Sequence, residues 1–256
     1  MKNRKYYSRV VILLAGMVLA GGGASNAMAA GTASGTTISN SAVVNYDVGG
    51  VNQPNVNSNT ATFVVDTKID LTVATTDAAS VKVAPGATAQ VLTFTVTNTG
   101  NATQDFNLSS TASSGGTGKF GGTDNFDATS VNIYVDSNGN GTYDSGTDTA
   151  TSINDLAADG SVSVFIVATI PTGQVTGDIA SYHLVAEARD AATGNALTET
   201  AGADTAGFTA GSVDIVFADG QGSDTANDAS RDAKHSSQDD YEVLTAALTV
   251  TKSSTV

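Results

Sequence analysis

The chain has no cysteine, no tryptophan, only 3 prolines and 6% aromatic residues. Without cysteine there is no disulfide, no thiolate nucleophile and no thiolate-held metal. With so few aromatics, the 40% of residues that are hydrophobic must build a core from small side chains, chiefly Val, Ala and other aliphatics, which together with Thr suit pleated surfaces. Scarce proline beside 27 glycines means that turns are made by Gly, Asn and Asp. Long apolar runs are also missing. Beyond the first 29 residues no stretch approaches the roughly 20 apolar residues of a membrane span. There is neither a Leu-Pro-x-Thr-Gly tail nor a lipobox cysteine. Attachment to a cell is therefore expected to be non-covalent or through a partner.

Positive charge is scarce in the same way. Lys2, Arg4, Lys5 and Arg9 precede an apolar run at 10–20 and the small-residue site Ala27-Met28-Ala29, the pattern of a secretory signal ending at Ala29. A membrane anchor is the alternative, and the short, glycine-interrupted run argues against it. Cleavage removes four of the 11 basic residues and none of the 25 acids, leaving seven against 25, a net charge of −18. Such a surface repels nucleic acid and anionic lipid and suits a secreted or cell-surface protein, or divalent cations.

What the chain does contain is strands. In residues 88–101, Leu92, Phe94 and Val96 alternate with Thr93, Thr95 and Thr97, one buried and one wet face, before Asn-Thr-Gly-Asn turns the chain. Before it, residues 37–46 and 59–65 flank Gly49-Gly50 as a hairpin, and Ile69, Leu71 and Val73 open the main domain. After it, residues 105–109 are expected to pair with the central strand as a hairpin, and the glycine-rich residues 113–124 to form a mobile loop. Residues 131–135, 161–170, 179–190 and 212–217 read as further strands. Residues 161–170 are apolar on both faces and so belong in a sheet centre. His183 falls on the wetter face of its strand as a solvated side chain, and nothing marks His235. Residues 219–240, with Asp219, Asp224, Asp228, Asp232, Asp239 and Asp240, read as a long solvated acidic loop rather than a second cation site, because their spacing is irregular. The segment 247–252 echoes 70–75 and closes the sheet or starts a second module. The expected organisation is a signal peptide at 1–29, a β-hairpin segment at 30–68, an all-β, immunoglobulin-like antiparallel β-sandwich at 69–246, and the closing segment at 247–256.

One stretch carries definite chemistry. From Asp136 to Asp148 the chain reads Asp-Ser-Asn-Gly-Asn-Gly-Thr-Tyr-Asp-Ser-Gly-Thr-Asp. Asp136, Asn138, Asn140 and Asp144 stand at positions one, three, five and nine, with Thr142 at seven and glycine at six, as in the opening of a calcium loop. Position twelve is Thr147 rather than a bidentate Glu, with Asp148 one place later. Asp136, Asn138, Asn140, Thr142, Asp144 and Asp148 are therefore the candidate calcium ligands, in a loop between strands; a plain Asn-Gly turn is the competing reading.

Pro85-Gly86-Ala87-Thr88, the run Val-Thr-Asn-Thr-Gly-Asn at 96–101, the Asp136 loop and Leu-Thr-Val-Thr-Lys-Ser at 248–253 together resemble the bacterial surface-protein repeat family known as domain of unknown function eleven. The likeness covers most of residues 69–256, and Ile38-Ser39-Asn40-Ser41-Ala42 resembles the strand found between such repeats. It implies an immunoglobulin-like sandwich, secretion, and a structural or adhesive role with no catalytic residues. The expected function is thus a secreted or cell-surface structural or adhesion module whose partners are other surface proteins or copies of itself. A strand-exchanging subunit of a surface fibre is the alternative. A hydrolase is the third: with three Glu, two His and no Cys, and without a Gly-x-Ser-x-Gly elbow, a His-Glu-x-x-His pair or a phosphate loop, only Asp-based chemistry stays open to it. The expectation is that the chain is not an enzyme.

Overall fold

A computed structural model describes residues 31–200, 211–246 and 251–252. The expected signal peptide and most of the 247–252 strand lie outside these residues. No helix occurs among the described residues.

Residues 37–64 fold back on themselves as one interrupted antiparallel hairpin. β1 (Thr37–Asn40) pairs with β6 (Ala61–Val64), β2 (Val43–Val44) with β5 (Val56–Asn57), and β3 (Asp47–Val48) with β4 (Val51–Asn52). At the tip Gly49 and Gly50 have φ of 61° and 84°, a conformation glycine takes at little steric cost.

The body consists of β7 (Thr67–Ile69), β8 (Leu71–Thr75), β9 (Val81–Val83), β10 (Gln90–Asn98), β11 (Gln104–Ala112), β12 (Thr129–Val135), β13 (Ser152–Leu156), β14 (Ser161–Thr169), β15 (Ile179–Arg189), β16 (Ile215–Phe217) and β17 (Lys234–Val243). One sheet has the order β12-β14-β10-β8 and the other β13-β11-β15-β17-β9. The orders β8-β10-β14-β12 and β11-β15-β17 are those of strands A-B-E-D and C-F-G in an immunoglobulin-like sandwich. Two pairings are parallel, β9 with β17 and β16 with β7.

The alternation legible in β10 is realised: Leu92, Phe94 and Val96 are buried and the threonines between them are not. They join Val164 and Ile166 of β14, Ala180, Tyr182 and Leu184 of β15, and Tyr241 and Val243 of β17 in one core. Each buried Leu, Val or Phe there contributes roughly 1.5–3 kcal/mol. Tyr241 ties the two sheets together: its hydroxyl is shared between the carbonyl oxygens of Gln90 (3.0 Å) and Ile166 (2.9 Å) in the opposite sheet. β14 is central, as its two apolar faces require. Its outward Phe165 is covered edge-on by Tyr143 (ring centroids 5.9 Å apart), which stacks on Tyr134 at 5.2 Å.

The Asn98-Thr99-Gly100-Asn101 turn does more than reverse the chain. Asn98 is fully buried and donates to the carbonyl oxygens of Ala102 and Leu156. Asn101 grips the root of the hairpin, accepting from the Lys68 N–H (2.8 Å) and donating to the carbonyl oxygen of Asp66 (2.9 Å). A Cβ on Gly100 would lie 2.5 Å from the carbonyl oxygen of Lys68, so only glycine allows this approach.

Three expectations need correction. β11, which contains residues 105–109, does not pair with β10. Both edges of β10 are taken by β14 and β8, so β11 crosses to the second sheet, between β13 and β15. Residues 219–240 are not a solvated loop: their last part is β17, a strand near the middle of the five-stranded sheet, and Asp219, Asp224, Asp228, Asp239 and Asp240 are all buried. Residues 113–124 are tied down by a bridge between Thr117 and Thr123 and by Asp124, whose Oδ2 accepts the Gly115 N–H at 2.8 Å.

Candidate calcium loop and the acidic faces of the second sheet

The Asp136 loop leaves the end of β12 and returns to β13. Asp136 is buried and acts as its hub: Oδ1 accepts from the N–H groups of Gly139 (2.8 Å) and Asn140 (3.2 Å), and Oδ2 from that of Gly141 (2.7 Å). Gly139 and Gly141 have φ of 71° and 76°, which gives physical content to the glycine at position six. Asn138 Oδ1 accepts from the Asn140 N–H and Asn140 Oδ1 from the Thr142 N–H, so alternate side chains turn inward. Asp144 Oδ2 accepts from the side-chain amides of Asn138 (3.0 Å) and Asn140 (2.7 Å), and these donors hold its carboxyl below the ordinary range. Asp148 is fully buried and closes the loop by accepting from the backbone N–H groups of Ser137 and Asp144.

Asp136, Asn138, Asn140 and Asp144 are thus brought together, Thr142 joins through its backbone, and Asp148 serves as the clasp. The donor set suits a hard cation, provided that the two Asn amides turn their oxygens rather than their NH₂ groups inward. Among the described residues no three His, Asp or Glu side chains form a group able to hold a metal.

The larger concentration of buried acid lies on the second sheet, where sequence reading placed none. On its inner face, His235, Ser237 and Asp239 of β17 meet the free edge of β8. His235 Nδ1 accepts from the Val73 N–H (3.0 Å), Ser237 Oγ from the Thr75 N–H (3.2 Å), and Thr75 Oγ1 donates to Asp239 Oδ2 (2.5 Å). Side chains at a two-residue period thereby do for β8 what a neighbouring strand's backbone would do, and seal an edge. Burial, reinforced by the adjacent Asp77 carboxyl, pushes Asp239 up to about 8, so it carries a proton at neutral pH.

On the outer face stand Ser181 and His183 of β15 and Ser236 and Asp240 of β17, covered by residues 113–124 and 219–233. Asp219 accepts from the N–H groups of Asp232 and Ala233, both at 3.0 Å, clasping a turn in which Ala233 has φ of 62°; burial raises its carboxyl. Asp228 Oδ2 accepts from the Gly222 N–H and the Ser236 hydroxyl. His183 is half-buried beside Ser223 (2.9 Å) rather than solvated, and burial holds its imidazole below 6.5 against the pull of Asp224, Asp240 and Asp124. An open polar groove of about 800 Å³ runs beside this cover, past Asn107, Glu187, Asp232 and Lys234. No hydropathy signal marks these residues, because an alternation of one polar residue with another has no amplitude.

No known protein-family model and no curated protein matches this chain.

Proposed function

We propose that this chain is an exported structural module of the bacterial cell surface that assembles with copies of itself through its N-terminal hairpin. The observation that carries the reading is where apolar side chains remain exposed. Of nine large exposed hydrophobic residues among the described ones, five are on the hairpin: Tyr46, Val48, Val51, Val56 and Phe63. Residues 37–64 contain one charged residue, Asp47, in a chain whose remaining surface is strongly anionic. The hairpin is thus where two copies meet with least like-charge repulsion. A two-stranded ribbon is also marginal alone in water, and a second copy supplies the missing strands. The signal-like leader and the resemblance to the surface-protein repeat family support export and a non-catalytic role. The Asp136 network supports calcium as a clamp on the loop that shields Phe165.

Sedimentation of residues 30–256 over a wide concentration range tests this. Self-association is expected, and Val48→Lys with Val51→Lys at the tip is expected to weaken it at least tenfold while leaving the melting temperature of the sandwich unchanged. A strict monomer at every concentration overturns the proposal, and a parent-like dimer in the double variant moves the interface elsewhere.

A further inference from the structure

We propose that the outer face of the five-stranded sheet binds a second hard cation, of calcium's size and charge, between Ser181 of β15 and Asp240 of β17 beneath the glycine-rich loop at 113–124. This site is separate from the Asp136 loop and independent of how the hairpin is used.

The two residues are direct partners in the antiparallel ladder, so their side chains stand next to each other on one face. Ser181 is 1% exposed and Asp240 0%. Yet Ser181 Oγ and Asp240 Oδ1 are both buried without any hydrogen-bond partner. Two such atoms on facing residues, one able to donate and the other to accept, would normally bond to each other; here they stay apart, and neither is in reach of solvent. Both are hard oxygen atoms of the kind a calcium-sized cation takes as ligands, at roughly 2.3–2.6 Å.

The surroundings have the matching charge. Asp240 Oδ2 accepts from the Phe120 N–H at 2.9 Å. Asp124, itself buried, accepts from the Ser181 N–H at 2.9 Å through Oδ1. Neither carboxylate takes part in any ion pair among the described residues. Two buried carboxylates without a cationic partner are what a bound cation resolves. The loop supplies neutral oxygen as well: a Cβ on Gly118 would lie 2.7 Å from Asp240 Oδ2 and 3.0 Å from the carbonyl oxygen of Gly121, which brings that carbonyl to the rim of the site. The ligand set is therefore Asp240, Asp124, the Ser181 hydroxyl and the Gly121 carbonyl, a mix calcium accepts.

Calorimetric titration of residues 30–256 with calcium decides it, using Asp144→Ala as the background so that the Asp136 loop makes no contribution. That background is expected to retain one site; adding Ser181→Ala weakens it by about tenfold or more, and adding Asp240→Asn abolishes it. Absence of calcium heat in the Asp144→Ala background overturns the proposal, as does heat left unchanged by both further substitutions. Should the Asp240→Asn chain fail to fold, Ser181→Ala decides alone. Equal stoichiometry in the parent and in Asp144→Ala removes the loop reading and leaves this one standing.

Discussion

Two stretches of this chain, 136–148 and 219–240, are both rich in Asp and Ser, and they end in opposite places. In the first, the acids fold inward on their own loop: the partners of the Asp136, Asp144 and Asp148 carboxylates all lie within 136–148. In the second, Asp219 and Asp228 also bond within the segment, but the two acids on β17 take partners from far along the chain: Asp239 bonds Thr75, and Asp240 bonds Phe120. The difference teaches that an acid-rich segment is a loop or a strand according to what its neighbours lack. β8 has a free edge and β15 an open side, and 234–243 fills both.

The comparison breaks most visibly at Asp219. Replacing it with Ala leaves one buried and one half-buried N–H group unpartnered, those of Ala233 and Asp232, and is expected to cost roughly 2–4 kcal/mol in denaturant unfolding. A loss within the noise of the curve would mean that 219–233 is not packed on the sheet.

The two stretches should also answer pH in opposite directions. Asp239 has a folded-state value raised to about 8, so its contribution is fully present below about pH 4, its unfolded value, and is lost as pH rises through 8. Stability from this group falls by up to about 1.4 kcal/mol per pH unit across that window. Asp239→Asn, which mimics the protonated form, should flatten the fall measured by denaturant titrations from pH 5 to 9. Asp144, held low by two amide donors, contributes above its ordinary value of 3.8 and loses that contribution as pH drops further. An unchanged slope in the Asp239 variant would mean that the Asp239 carboxyl is not raised by burial.

The smallest effect sharpens the other side. Calcium at millimolar concentration should raise the melting temperature relative to chelator, since a ligand of the folded state stabilises it. In Asp144→Ala the rise should shrink but persist if the Ser181–Asp240 site is real. Identical melts of the parent with calcium and with chelator would remove both sites.

Much of the architecture was legible because hydrophobic alternation has a period. The strands at 90–98, 161–169 and 179–189, the hairpin around Gly49-Gly50 and the centrality of β14 follow from it. Pairing was less legible: β11 follows β10 closely yet joins the other sheet, because the occupancy of both β10 edges is not written in either strand. The chemistry of the Asp136 loop could be read, since its partners lie within thirteen consecutive residues. The acid on both faces of β17 could not, since its partners lie up to 164 positions away and its polar alternation leaves no hydropathic trace.

By itself, the order of residues determined an all-β chain with an aliphatic core, glycine- and Asn-made turns and one self-contained Asx loop, because each depends on neighbours a few positions apart. Only the tertiary structure decided that the acid-rich end of the chain becomes an interior strand. It did so because the free edge of β8 and the outer side of β15 exist only after the two sheets have closed on each other, and the N–H groups and hydroxyl of that edge then select the imidazole, hydroxyl and carboxyl of β17, polar side chains that no local rule would have buried.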